Sequence, residues 1–205
     1  MADPVEDVPW ITPVRNAAEV TIDASAVRDA TWTKAITAAI SELNALFTAS
    51  NVNVTLKAAK PGLVTVALSS EKYSFPVGGQ VQSGVLRTDI LHGATRSIDT
   101  IIRDKRARER AYIFLPQDPK VDPQKARSRT VGEPVMRVVA AHEFLHALGL
   151  DTHDPGMLGL LAKSMSLNAY GKPADDTVSP FGSQTKMPPL TLSGNTVARL
   201  QAMWP

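Results

Sequence analysis

Three of the four histidines of this chain lie within twelve positions, in the segment AAHEFLHALGLDTHD that covers residues 140–154. The run VMRVVAAHEFLHALG is apolar on nearly every face, so we predict a buried helix over residues 135–149. On this helix His142 and His146 stand four residues apart, one above the other, and their imidazoles can bind a single zinc ion. Glu143 lies about 100° further round the helix, beside the metal face. The pattern H-E-x-x-H therefore predicts two zinc ligands and a carboxylate that can handle a water at the metal.

A buried helix whose histidines are satisfied by backbone groups or by water is the alternative interpretation. A lone histidine in a core would favour it. Here two imidazoles and a carboxylate share one otherwise apolar helix, and unpaired polar groups in a protein interior cost kilocalories each. The zinc interpretation is therefore preferred.

The third metal ligand has several candidates, since catalytic zinc usually takes three protein ligands and a water. A downstream glutamate, as in gluzincin-type proteases, is excluded because the chain has no glutamate after Glu143. Histidine nitrogen and aspartate oxygen both bind zinc well. The candidates that follow the helix are His153, Asp151, Asp154, Asp175 and Asp176.

The run HEFLHALGLDTH, residues 142–153, resembles the metzincin signature H-E-x-x-H-x-x-G-x-x-H, above all the HALGL stretch of matrixin-like enzymes. In that family the helix ends at a glycine and the chain turns back to offer the third ligand. This chain departs from the signature by one residue, because Thr152 stands where the family has its third histidine. The next residue is His153, and a slip of one residue in a turn is easily absorbed. The resemblance thus favours His153 as the third zinc ligand.

The resemblance implies further features of the site. Metzincins carry a methionine-containing turn beneath the metal, which points to Met165 in KSMSLNAY, with Met157 as a rival. Tyr170 is a possible oxyanion donor, although its longer spacing from Met165 favours a packing role. The resemblance also implies a secreted enzyme, while the acidic start MADPVEDVPW shows no signal peptide.

The same resemblance implies a single catalytic domain over residues 1–205, with an upper subdomain over about 1–149 and a lower one over 150–205. Its fold would be metzincin-like: a twisted mixed sheet with a long backing helix, a central H-E-x-x-H helix and a C-terminal helix. Only residues 142–149 carry the resemblance specifically, and the segment 94–129 has no counterpart that we can assign.

Strand patterns support an α/β or α+β layout. Alternating β-branched residues predict strands at 18–23, 52–56 and 63–68, and an apolar run predicts a buried strand at 111–116. A weaker strand candidate covers residues 84–90. The histidine helix then lies at the centre of the layout.

Helical patterns account for much of the rest. An amphipathic helix is predicted over 31–50 and a closing helix over 190–204, with Ser193 as its N-cap. The apolar residues of the first are Trp32, Ile36, Ile40, Leu43 and Phe47. We expect a charged surface helix over 96–110 that buries Ile98, Ile101 and Ile102. Gly149 is placed to end the histidine helix in a left-handed conformation, and an irregular segment follows from 150 to 189.

Composition limits the other functions. With 43% hydrophobic residues, 20% charged residues and a net charge of +2, the chain has an ordinary globular composition and no excess of charge for nucleic acid or an anionic membrane. No apolar run approaches the roughly 18 to 20 residues that span a bilayer. Cysteine is absent, so disulfides and thiolate ligands are excluded. We expect a monomer.

His92 and a cluster of basic residues are given no functional role. His92 stands alone in the sequence, with nothing to join it in a second zinc site of the multi-histidine matrixin kind, and is interpreted as structural or exposed. The basic cluster at 105–110 alternates with acidic residues, as a solvated surface does. Its members are Lys105, Arg106, Arg108 and Arg110, with Asp104 and Glu109 between and beside them.

Together these features predict a zinc-dependent endopeptidase, in which Glu143 serves as the general base and the substrate is a protein or peptide. A zinc hydrolase that acts on a non-protein amide is one alternative, and an inactive metzincin-like binding domain is another. The intact Glu143 speaks against the inactive domain. A structural zinc site is disfavoured, because such sites normally fill all four positions with Cys or His.

Overall fold

The computed structural model describes residues 6–86, 92–121, 129–154, 160–161 and 189–205. Its elements form a mixed α/β arrangement, as the sequence predicts. The helices in these ranges are α1 (Thr12–Ala17), α2 (Ala30–Ala49), α3 (Glu133–Ala147) and α4 (Gly194–Met203). The strands are β1 (Glu19–Asp23), β2 (Thr55–Ala58), β3 (Val64–Ser69), β4 (Lys72–Val77), β5 (Gln80–Val85), β6 (Ala94–Ile102), β7 (Lys105–Pro116), β8 (Lys120–Val121) and β9 (Arg129–Thr130).

A five-stranded mixed sheet with the order β2-β1-β3-β7-β6 forms the framework. The first four strands in this order run parallel, with Val64 of β3 opposite Ala111 of β7. Strand β6 pairs antiparallel with β7, from Ala94 opposite Phe114 to Ile102 opposite Lys105. Among the described residues β6 pairs only with β7, so this sheet ends at an antiparallel edge strand.

The strands predicted from β-branched patterns are found close to their expected places. Those at 18–23 and 63–68 are confirmed as β1 and β3, and the run at 111–116 forms the second half of β7. The strand predicted at 52–56 begins later, at Thr55. Of the candidate at 84–90, only the first two residues belong to β5, and residues 87–90 lie outside the described ranges.

Helix α2 confirms the predicted amphipathic helix and backs the sheet. The Asp29 side chain caps its first turn by accepting a hydrogen bond of 2.8 Å from the backbone N–H of Trp32. The Trp32 indole donates to the backbone oxygen of Pro116 at the end of β7, 3.0 Å away. The helix also packs against α3, where Glu42 and Arg137 form an ion pair. The helix therefore bridges the sheet and the histidine helix.

Helix α3 is buried on nearly every face, as its apolar composition predicts. Both His142 and Glu143 belong to its buried residues. The helix ends at Ala147, and Gly149 follows with a φ of +118°, the left-handed region that the sequence predicts for it. The Gly149 oxygen accepts a hydrogen bond of 2.9 Å from the backbone N–H of Val8. The N-terminal segment thus holds the point at which the chain turns back towards the histidines.

The surface helix predicted over 96–110 is wrong, because this segment forms the hairpin of β6 and β7. Arg103 and Asp104 make the turn with φ values of +51° and +62°, as the two-residue hairpin turns require. Such turns usually carry Asn-Gly or Asp-Gly, so Arg-Asp offered no signal. Ile101 and Ile102, expected to be buried, are 66% and 45% exposed. Pairs of opposite charge across the hairpin stabilise its two strands. The apolar residues of this segment also have helical spacing in the sequence, which is why the sequence predicts a helix there.

A second hairpin, β4–β5, packs on this part of the sheet through aromatic side chains. Tyr73 stacks on Phe114 of β7 with 4.2 Å between ring centroids. Phe75 lies 5.5 Å from Tyr112 by the same measure. These contacts place the hairpin beside β6, where it forms a wall of the cleft described below.

The closing helix is confirmed as α4, and Ser193 is its N-cap, with its hydroxyl accepting from the Thr196 N–H at 3.0 Å. Most of the irregular segment predicted over 150–189 lies outside the described residues. Among the helices that the structure describes, none is long and apolar enough to cross a membrane.

We predict that Gly149→Ala destabilises the protein. The added Cβ would collide with the backbone oxygen of Val8 and lie 3.0 Å from the Met203 sulfur, and the positive φ disfavours any side chain. The free energy of unfolding, measured in urea, should fall by more than about 1 kcal/mol. Gly194→Ala is the matched control, because its Cβ would meet open space in the first turn of α4. Equal stability of the Gly149 variant and the parent would contradict this account of the turn.

Candidate metal centre

Three histidine rings meet in front of α3. The Nε2 atom of His142 lies 3.1 Å from that of His146 and 3.3 Å from that of His153. Two nitrogens bound tetrahedrally to one zinc ion, at about 2.0–2.1 Å each, are about 3.3 Å apart. The three nitrogens therefore have the chemistry and the spacing that a zinc ion requires.

Backbone carbonyl groups determine which nitrogen of each helical ring faces this meeting point. The Nδ1 atom of His142 donates to the Leu160 oxygen at 2.6 Å, and Nδ1 of His146 donates to the Leu150 oxygen at 2.5 Å. A carbonyl oxygen only accepts, so the proton of each neutral ring is on Nδ1. The lone pairs on Nε2 are then left for a metal ion, in the arrangement typical of histidine ligands.

The surroundings keep these rings neutral. Burial lowers the pKa of His142 to about 3 and that of His146 to about 4. Burial also lowers the pKa of His153, whose ring is more exposed. Neutral imidazole is the form that binds metal, so near neutral pH no proton competes for the Nε2 lone pairs.

Glu143 lies beside the rings, with 2% of its surface exposed. The Thr95 hydroxyl of β6 lies 2.7 Å from its Oε2 atom, to which it donates, and 3.2 Å from its backbone oxygen. This contact fixes the carboxylate against the edge strand. A carboxylate oxygen of Glu143 lies within 4.8 Å of a ring nitrogen of His142, so this acceptor is placed beside the candidate metal position, as a general base must be.

Arg108 corrects the expectation that the whole basic cluster is a solvated surface. Its side chain is 1% exposed, whereas that of Arg106 is 52% exposed. The buried guanidinium donates to the His146 backbone oxygen at 2.5 Å and to an Asp151 carboxylate oxygen at 2.7 Å. It thereby joins the end of α3 to the segment that carries His153. This role of Arg108 is not predicted from the sequence. The signal that could have indicated its burial is its position three residues before the buried apolar run that begins at Ala111.

Asp154 is engaged with α4 and the segment before it. Its buried carboxylate accepts from the Ser193 and Thr196 hydroxyls, from the Asn195 amide at 2.7 Å and from Arg199 at 2.7 Å. Burial alone would raise the pKa of Asp154, but these hydrogen bonds hold it below its ordinary value. The carboxylate therefore serves as a structural anchor.

Of the candidates for the third ligand, the structure brings His153 to the helical histidines, and it pairs Asp151 and Asp154 with arginines. The other predicted residues are not placed. Met157, Met165, Tyr170, Asp175 and Asp176 all lie outside the described residues.

His92 does not stand alone, contrary to the expectation from the sequence. Its ring centroid lies 5.6 Å from that of His142. No local pattern marks this proximity, because the contact forms only when the segment before β6 lies against α3.

The three histidines open onto a cleft of about 610 Å³. One wall is the start of β6, and the hairpin β4–β5 contributes Phe75, Gln82 and Val85. His92 and Glu143 also line the cleft. The candidate metal position is thus open to a ligand from solution, which a catalytic site requires.

The sequence matches no model of a known protein family, and no curated protein matches it.

The pKa shifts predict how the metal-free protein responds to acid. Below the ordinary histidine pKa of 6.5, the unfolded chain binds protons that folded His142 and His146 do not bind. The free energy of unfolding should therefore decrease as the pH falls from about 6.5 towards about 5, by about 1.4 kcal/mol per pH unit for each histidine. Urea unfolding of chelator-treated protein measures it. His142→Gln should give a shallower dependence, and a flat profile for the parent would refute the assigned shifts.

Proposed function

We propose that this protein is a hydrolase, a zinc-dependent endopeptidase with a metzincin-like fold. One observation carries the proposal: the Nε2 atoms of His142, His146 and His153 meet beside the Glu143 carboxylate, at the floor of an open cleft. Three ligands and an open fourth position are typical of catalytic zinc, whereas structural zinc is enclosed by four ligands.

The proposed mechanism divides the chemistry between metal and protein. Zinc held by the three histidines would supply a Lewis acid that lowers the pKa of water to about 7 and polarises the scissile carbonyl. Glu143 accepts the proton of the attacking water and passes it to the nitrogen of the leaving amine. Thr95 keeps the carboxylate in place by its hydrogen bond to Oε2, 2.7 Å long.

The edge strand supports a peptide as the substrate. Residues 94–97 of β6 line the cleft, and β6 is the last strand of its sheet. An extended peptide can add to such an edge through main-chain hydrogen bonds, with its side chains alternating between pockets. The scissile bond would then lie over the three histidines. A small non-protein amide would need no such edge, which is why we favour a peptide over that alternative.

The resemblance to metzincins extends the proposal beyond the described residues. Met165 would lie beneath the zinc, and the enzyme would be secreted and act as a monomer. Tyr170 is a candidate oxyanion donor, although its longer spacing from Met165 favours a packing role. The mixed sheet, the backing helix α2, the central helix α3 and the closing helix α4 agree with that resemblance.

The ligand assignment predicts a steep loss of zinc in His153→Ala, because two imidazoles on one helix form a weak, open site. Zinc per chain, by elemental analysis after dialysis against a weak chelator, should fall from one towards zero. Thr152→Ala is the matched control one residue away and should keep its zinc, because the backbone oxygen of residue 152 still accepts from Arg199. Asp151→Asn should also keep its zinc. Zinc retained in the histidine variant would contradict the assignment of His153 as the third ligand, and its loss in a folded Asp151→Asn variant would favour Asp151 in its place.

Glu143→Gln should separate metal binding from catalysis. The substitution keeps the size of the side chain but removes the base, and general-base catalysis is worth typically about 10²–10⁴-fold. We expect zinc content near that of the parent and hydrolysis lower by at least this factor. Digestion of casein and of a mixed peptide library, with and without chelator, followed by mass spectrometry, measures it.

Full activity in the purified, zinc-loaded Glu143 variant would rule out the proposed base. Hydrolysis of small amides but not of casein or peptides by the parent would favour the non-protein amide alternative. Zinc binding by the parent with no hydrolysis of any of these would favour a binding domain.

A further inference from the structure

His92 lies in the cleft, two residues before β6, next to two groups of the proposed catalytic site. A ring nitrogen of His92, a ring nitrogen of His142 and a carboxylate oxygen of Glu143 all lie within 4.8 Å of one another. Imidazole nitrogen and carboxylate oxygen are both ordinary ligands of zinc. These residues form a second group of potential ligands beside the three histidines.

Gly93 holds this group together. A Cβ on Gly93 would lie 2.6 Å from Cγ and 2.9 Å from Cδ of Glu143, and 3.0 Å from the Phe114 oxygen. Only glycine therefore lets the backbone at the start of β6 lie directly against the glutamate side chain. This close approach places the neighbouring His92 within reach of the carboxylate.

Both ring nitrogens of His142 already have other partners, so only His92 and Glu143 of this group remain as ligands for a second metal ion. Its Nδ1 atom donates to the Leu160 oxygen, and its Nε2 atom faces the Nε2 atoms of His146 and His153. It has no third nitrogen. The protein atoms that remain for another cation are the His92 nitrogen and the Glu143 carboxylate, of which Oε2 already accepts from Thr95.

We propose that His92 and Glu143 bind a second divalent transition-metal ion, and that its binding switches the peptidase off. The proposal rests on the proposed function, since it assumes the first ion and the general base. A carboxylate that is coordinated to a cation is a much weaker proton acceptor, so the water would no longer be activated. With two protein ligands and a like charge nearby, the second site should be weaker than the three-histidine site. The inhibited state therefore forms only when free zinc is high.

The stoichiometry of zinc binding tests the second site without reference to activity. Equilibrium dialysis of the chelator-treated protein against buffered Zn²⁺ should give one tightly bound ion per chain and a second, weaker one. His92→Asn and Glu143→Gln should each keep the first and lose the second. Removing a partner that only orients a ligand typically costs about 10–100-fold in metal affinity, so removing a direct ligand should weaken the second site by at least about tenfold. Gln82→Ala, which alters the cleft at a residue outside both ligand groups, should keep both ions.

Inhibition by excess zinc tests the regulatory part. The rate of peptide hydrolysis by the parent, normalised to the rate measured with one equivalent of zinc, should fall as the second zinc ion binds. For His92→Asn the rate is normalised to that variant's own rate with one equivalent of zinc. The free zinc concentration at which its hydrolysis is half inhibited should be at least about tenfold higher than for the parent. An unchanged midpoint would overturn the proposal.

Two outcomes of the dialysis would also overturn it. The parent could bind one ion over the whole range, or His92→Asn could lose the first ion, which would make His92 a fourth ligand of a single site. These outcomes differ from those expected if the proposed function is wrong. In that case the parent would either lack a first zinc ion that depends on His153, or bind that ion without hydrolysing peptides.

Discussion

Two hydrogen bonds from histidine rings to backbone oxygens determine the whole candidate site. They place the protons of His142 and His146 on Nδ1 and leave both Nε2 lone pairs directed at the same point. Their acceptors, Leu160 and Leu150, lie beyond the end of α3. Helix α3 alone therefore supplies the two rings but does not orient them. Their orientation depends on the segment after Gly149, which turns back and packs against α3.

The returning chain is held by charge as well as by hydrogen bonds. Asp151 pairs with Arg108, whose side chain is almost fully buried. A buried cation is costly unless it is paired, so the guanidinium and this carboxylate depend on each other. Arg108 also donates to the backbone oxygen of His146, and a cation at a helix C-terminus interacts favourably with the helix dipole. One side chain thus stabilises the end of the histidine helix and the start of the segment that carries His153.

Sequence reasoning succeeded where the information is local and periodic. The spacing of His142 and His146 predicts a shared face, and the left-handed Gly149 follows from its place after an apolar helix. It failed where the structure depends on pairing between distant segments. The hairpin at 94–116 turns at two residues without a turn signature, so its charged strands resembled a helix. For the same reason the burial of Arg108 and the position of His92 beside His142 were missed, since both arise from contacts between segments that are far apart in the sequence.

The contacts of Thr152 and Asp154 explain why His153, which lies between them, faces the rings on α3. Thr152, which stands where the metzincin signature has its third histidine, accepts hydrogen bonds from Arg199 at its hydroxyl, 2.7 Å away, and at its backbone oxygen, 2.9 Å away. Arg199 also contacts Asp154, so two residues of the turn are tied to α4. The residue between them, His153, faces the rings on α3, with its Nε2 atom 3.3 Å from that of His142. His153, one position later in the sequence than the histidine of that signature, is therefore the residue of the turn that faces the helix, because Thr152 and Asp154 are tied to α4.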